Sequence, residues 1–219
     1  MPSFVTPALE QRRAQLAATI EEAYSPARHV ALICAVVSAS VVVAALGIRH
    51  LTWSELAVAP VAFLVSNFGE WALHRYVLHE PTKLRVTYER HALIHHVMYT
   101  HDAFEIRSAR ELRYVLMPWF SLLAMLASVA PIVALLALTW SGNAARIYVL
   151  ETVAYYAVYE VLHTLYHLPV TAPVARWAPV QWLRRQHRVH HEPSLMRACN
   201  FNVTFPVADT VLGTWRRER

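Results

Sequence analysis

Apolar residues in this chain gather into four long stretches separated by short polar connections and one basic middle segment. Val30–Ile48 runs for 19 positions without a charge, about the length a helix needs to cross a bilayer. A second stretch, Glu55–Leu73, is interrupted by Pro60, Asn67 and Glu70. A third, Leu112–Leu138, carries Pro118 and Pro131 and is predicted to kink or break there. A fourth covers Ala144–Leu168. Ahead of them, residues 7–24 place Leu9, Leu16, Ile20 and Tyr24 at roughly helical spacing, with Arg and Glu on the other side. That predicts a short amphipathic helix, lying on a membrane surface or, as the alternative, a plain soluble helix, and ended by Ser25-Pro26. The pattern divides the chain into an N-terminal interfacial segment, 1–28, and one all-α membrane domain, 29–219, with about four transmembrane helices paired as two hairpins. There is no internal repeat or low-complexity tract.

Composition agrees with lipid as the solvent. Apolar residues make up 56% of the 219 and charged residues only 16%, with a mean hydropathy of +0.30. A soluble domain of this size could not hide so much apolar surface. Acidic residues before the first stretch, Arg49 and His50 after it, and no small-residue cleavage site argue against a signal peptide. Of 20 Lys and Arg residues, only Arg49 and Arg146 fall near the two short connections Arg49–Ser54 and Thr139–Asn143. The bias places both termini and the middle segment in the cytoplasm. It also accounts for the net charge of +5 and the pI near 9.5, because no nucleic-acid-binding motif accompanies the basic residues. Cys34 and Cys199 make neither a disulfide framework nor a C-x-x-C motif, consistent with a reduced, cytoplasm-facing site.

Histidine carries the chemistry. Ten of the 13 histidines fall in four groups: His74 and His79 in HRYVLHE; His91, His95 and His96 in HALIHH; His163 and His167 in HTLYH; His187, His190 and His191 in HRVHH. His29, His50 and His101 stand apart. Residues four apart share a helix face, so His91 with His95, and His163 with His167, can point at a common site. His187, His190 and His191 likewise share a face. His96 and His191 each follow another histidine by one position, so each doublet can serve two metals. His74 and His79 are five apart, which an ideal helix splays; Glu80-Pro81 suggests that the helix ends or unwinds there and lets His79 turn inward. The first two groups follow the second stretch, the third closes the fourth stretch, and the last comes soon after, so all four are expected on one membrane face. Ten imidazoles exceed the four to six ligands of a single ion. Two metals fit the count.

These boxes resemble the fatty acid hydroxylase superfamily, which includes sterol desaturases, sterol C4-methyl oxidases and fatty acid 2-hydroxylases. The family pattern, H-x(3,4)-H, H-x(2,3)-H-H, H-x-x-x-H and H-x(2,3)-H-H, stands here as EWALHRYVLHE, RHALIHH, YEVLHTLYH and QHRVHH. Asn200–Trp215, NFNVTFPVADTVLGTW, is similar to the family segment after the last box, with Asn202 where glycine is usual and Ala208 where tryptophan is usual. The resemblance covers about Asn67 to Trp215. It implies a four-helix membrane core capped by a cytosolic helical layer that carries the boxes and holds two metals. The native metals are taken to be iron, with zinc able to replace it in purified material. The third box separates the pattern from membrane acyl desaturases and alkane hydroxylases.

The expected chemistry is oxidation of an unactivated C–H bond of a lipid, such as a fatty acyl chain or sterol, by two irons and O2, giving hydroxylation or desaturation. Redox-inert zinc could not do this. The other ring N–H of a metal-bound histidine needs an acceptor. Glu70, one turn before His74, and Glu160, three before His163, are candidates, interfacial solvation being the alternative. Asn200 and Asp209 match polar positions of the family's tail segment. Trp71 and the tyrosines at 155, 156 and 159 are candidates for a lipid path, with core packing the alternative. No flavin, haem or iron–sulfur motif is present, so electrons must come from outside. By the resemblance the donor is a ferredoxin or a cytochrome b5-type protein; Arg184–Arg188 is a candidate docking patch for it, the ordinary positive-inside bias being the alternative. The rival readings are a carotenoid hydroxylase and, from another class, a membrane haem protein or metal transporter.

Overall fold

A computed structural model describes residues 5–81 and 84–218; residues 1–4 of the expected N-terminal segment lie outside that range, as do Lys83 and Arg219 from the orientation count. Among the described residues every regular element is helical, and the only β pairing is an isolated bridge between Thr100 and Ala103. Three helices are long and apolar enough to cross a membrane: Pro26–Leu46, Trp53–Leu78 and Ser121–Thr139. That is one fewer than expected. The fourth, Gly142–His167, has ample length at 26 residues, but Arg146, Glu151, Glu160 and two histidines interrupt its apolar run. Ionisable groups are costly in hydrocarbon, and composition alone does not make it a span.

Two other boundaries move for local reasons. The second span starts at Trp53 because Thr52 and Glu55 form a capping box: the Thr52 amide donates to Glu55 at 2.8 Å while the Glu55 amide donates back to Thr52 Oγ1. The third starts at Ser121, not Leu112. Leu112–Val115 is a single turn, Leu116 is extended (ψ 143°), and Pro118 follows within the break. Pro131, by contrast, is carried inside the helix.

By contact density the chain divides into two units. One comprises Ala27–Ser66 and Met117–Glu160, and its core is formed by Val58, Ala62, Ala144, Ile147 and Tyr148. Its two short connections meet. Asn143 donates to the Arg49 carbonyl (2.7 Å) and to Glu55 (3.2 Å), and Ser141 donates to Glu55 at 2.6 Å. The outward faces stay apolar: Val43 is 75% exposed and Leu138 86%, surfaces that water would disfavour and lipid tolerates.

The other unit comprises residues up to Pro26, Asn67–Leu116 and Val161–Arg219. Its N-terminal helix, Pro7–Ala18, is capped by Thr6, whose hydroxyl accepts from the Leu9 amide, with Pro7 at the first position. It stops six residues short of the expected Tyr24, where Thr19 donates its hydroxyl back to the Leu16 carbonyl. Nor does it simply present its charges outward. Arg13 is only 3% exposed; it donates to the carbonyls of Ala103 and Glu105 and pairs with Glu111 at 3.6 Å. Leu16 packs with Met98, Tyr99, Ile106 and Val115.

Candidate metal centre

The helix bearing the first histidine box ends at Leu78, just ahead of Glu80-Pro81 as expected, but its last turn is widened. His74–Leu78 is a π-helix, and Glu89–His95 is a second one. In an α-helix, residues five apart point about 140° away from each other. A π turn, bonded between residues five apart, brings such a pair back to one side. The His74 and His79 rings accordingly stack, centroids 5.1 Å apart and 21° from parallel. His91 and His96, also five apart, bring their Nε2 atoms to 3.1 Å.

These turns sort the ten histidines into two groups of five. His74, His79, His91, His96 and His190 form the first; His95, His163, His167, His187 and His191 form the second. Within each group every imidazole offers a nitrogen within 4.8 Å of the others, a set that could hold a metal ion. Both doublets, His95/His96 and His190/His191, are divided between the groups. Two expectations change. His91 and His95, four apart, do not share a site, because the π turn swings His91 toward His96; their rings stack across the boundary instead, centroids 5.2 Å apart and 18° from parallel. His187, His190 and His191 do not act as one face either: the α-helical i, i+4 pair His187/His191 serves the second group, and His190, at i+3, serves the first.

All ten are at most 8% exposed, and burial decides their state. Removal from water pushes the pKa of His91, His95, His96, His187, His190 and His191 well below the ordinary imidazole value, with neighbouring imidazoles adding to the effect. They are neutral, as ligands must be. Backbone carbonyls then select the tautomer. His74 Nδ1 donates to Phe201 (2.5 Å), His95 to Tyr114 (2.8 Å), His167 to Phe104 (2.8 Å), His190 to Cys199 (2.9 Å), and His191 to Tyr99. With the proton on Nδ1, the Nε2 lone pair turns inward. Aromatic rings wall the groups: Phe201 lies against His74, His79 and His190, and Phe104 against His167, His187 and His191.

Carboxylates stand one step further out. Glu70 accepts from the backbone amides of Val203 (2.7 Å) and Thr204, the Thr204 hydroxyl and the Asn202 side-chain Nδ2. Asp209, fully buried, accepts from the amides of Phe201 (3.0 Å) and Asn202 (2.7 Å) and from the Thr214 hydroxyl. Asn200 takes a left-handed backbone (φ 55°), which asparagine tolerates; its side chain donates to the carbonyls of Gln186 and Arg216. These three therefore shape the 199–204 segment, whose Cys199 and Phe201 carbonyls receive imidazole protons. Glu160 accepts from the Met117 amide at 3.2 Å in the other unit. Trp71, a candidate for a lipid path, donates its indole N–H to Thr214 and packs on Phe201. The carbonyl acceptors escape sequence reasoning because a main-chain oxygen leaves no side-chain signature; the polar N-F-N-V-T tail is the nearest signal. His29, His50 and His101 stay outside both groups.

The donor sets fit metal ions. A first-row ion about 2.1 Å from each of two imidazole nitrogens at right angles holds them about 3 Å apart. The Nε2–Nε2 separations are 2.9 Å for His74/His91, 3.0 Å for His79/His190, 3.1 Å for His187/His191 and 3.3 Å for His95/His163. His167 Nε2 is buried with no hydrogen-bond partner while its Nδ1 is engaged, an acceptor that a cation would satisfy. All-imidazole sets suit iron or zinc and not magnesium or calcium. No curated protein and no solved structure matches the chain. The family model for fatty acid hydroxylases matches residues 59–214, a range that contains all ten histidines. The chain belongs to the fatty acid hydroxylase family.

Proposed function

We propose that the protein is a membrane-bound di-iron enzyme that uses O2 to hydroxylate, or desaturate, a C–H bond of a lipid such as a fatty acyl chain or sterol. The observation that carries this reading is the partition of ten buried, neutral imidazoles into two sets of five. Family membership and three helices fit for a bilayer support lipid as the substrate class. Two irons, when bound, supply oxidising power that no side chain has. The first would be held by His74, His79, His91, His96 and His190, the second by His95, His163, His167, His187 and His191. The rest of the work belongs to the chain. Backbone carbonyls hold the protons on Nδ1 and fix each ring's orientation. Phe104, Phe201 and Tyr99 exclude water from the ligands. Glu70 and Asp209 keep the carbonyl-bearing segment in place. In this reading the termini and the metal site face the cytoplasm, and an external carrier provides electrons.

Untargeted lipid analysis of cells with and without the gene tests the reaction. One lipid class is expected to gain a single oxygen or lose two hydrogens, and unchanged lipids in cells that hold the iron-loaded protein would reject it. Metal analysis of protein purified with activity intact is expected to give about two ions per chain; about one, or none, would end the di-iron reading. Reporter fusions at either terminus are expected to read cytoplasmic.

A further inference from the structure

A cleft of about 1530 Å³ opens in the histidine-bearing unit, between the 101–107 strap, the helix Ala178–His190 and the C-terminal tail. Its charge has a definite arrangement. Deep arginines are already engaged: Arg13 with the carbonyls of Ala103 and Glu105, and Arg184 with the Leu168 carbonyl and Glu105 at 2.8 Å. Arg107 pairs with Glu10, and Arg188 with Glu218. On the exposed rim, Arg185, Arg216 and Arg217 have no carboxylate partner among the described residues, and they outnumber Asp102 and Glu192, the lining carboxylates that no arginine pairs. A small anion would want unengaged cations converging on one buried point. Unpaired charge spread along a rim, above a floor whose charge is neutralised, instead complements a broad acidic protein surface.

The floor of this cleft is also the wall of the second histidine group. Phe104 lines the cleft, its ring centroid 4.4 Å from that of His167 and 4.9 Å from that of His191, with the Arg184 guanidinium over the ring at 5.6 Å. The strap is tied to those ligands by their own main chain: the Ile106 amide donates to the His167 carbonyl (2.8 Å) and the His101 amide to the His191 carbonyl (3.3 Å). A protein seated in the cleft would be separated from two imidazoles by a single aromatic ring. Resting on the functional reading above, we propose that this cleft is the docking surface for an acidic one-electron carrier protein, which reduces the centre from the side of His167 and His191. The carrier is oxidised by one electron at each visit, and two visits supply the two electrons that one O2-dependent turnover consumes.

The test uses the full-length, iron-loaded protein in lipid nanodiscs, titrated with the soluble domain of cytochrome b5 and with a [2Fe–2S] ferredoxin, both acidic. At least one is expected to bind at low ionic strength and to weaken steeply with salt. The double variant Arg185→Glu/Arg217→Glu is expected to raise that Kd about tenfold or more and flatten the salt dependence. Metal content and reduction by dithionite should be unchanged. A variant that binds like the parent, or failure of both carriers to bind the parent, overturns the docking site. Failure of dithionite to reduce the bound metal overturns the di-iron reading instead, while the binding measurement still judges the cleft.

Discussion

His95 and His96 differ by one position along the backbone and belong to different groups, as do His190 and His191. Neighbouring substitutions should therefore remove different ions. His190→Ala is expected to empty the first group and His191→Ala the second, each leaving about one ion per chain, with distinct iron spectra; two ions retained in either variant would contradict the assignment. Burial also sets a pH dependence. The folded pKa values of these buried histidines lie well below the ordinary value, so above about pH 6.5 both folded and unfolded imidazoles are neutral and the effect vanishes. Below it the unfolded chain binds protons that the folded chain refuses, and stability falls. Metal-free protein in detergent is expected to melt progressively lower from pH 7 to pH 5.5, a trend that a flat profile would exclude. At this scale the sequence was informative: all ten histidines were identifiable from spacing, and the division of the doublets followed from the 100° step between adjacent helical residues. The Nδ1 acceptors were not, since Phe201, Tyr114, Phe104, Cys199 and Tyr99 act through oxygens that every residue possesses.

Among the elements, the two π-helices do most to build the centre. A pair of histidines five apart is unfavourable for a shared site on an α-helix, yet the chain carries that spacing at His74/His79 and again at His91/His96, and both pairs enter the first group. Deleting exposed Tyr76 would restore four-residue spacing and remove the extra residue of the turn. The expected outcome is loss of the first ion with the second retained, read as about one ion per chain; an unaltered content of two would show that the π turn is dispensable. The 199–204 segment is the other shaping element. Asp209→Ala removes the acceptor of two buried amides and a hydroxyl and is expected to destabilise the fold by about 2–4 kcal/mol, measured by denaturant unfolding in micelles. The anomaly in the first box and the helix end beside it could be read from the sequence, but the widened turn could not, since only the backbone hydrogen bonds reveal it.

For the whole molecule, three helices with exposed apolar faces predict an integral protein. It should stay in the membrane pellet through an alkaline carbonate wash and leave it with detergent; release by carbonate alone would be incompatible with spanning helices. The apolar runs, the all-helical class and the four histidine boxes were determined by the sequence alone, because the length of an uncharged run and the spacing of ligands along one helix are local properties. Tertiary structure decided the rest. It turned Arg13 inward, against the carbonyls of Ala103 and Glu105 and the carboxylate of Glu111. Above all it separated His91 from His95 and His190 from His187. The reason is physical: which nitrogen turns inward depends on a backbone widened by one residue and on carbonyls 9 to 127 positions away along the chain, and neither is a property of any short stretch of sequence.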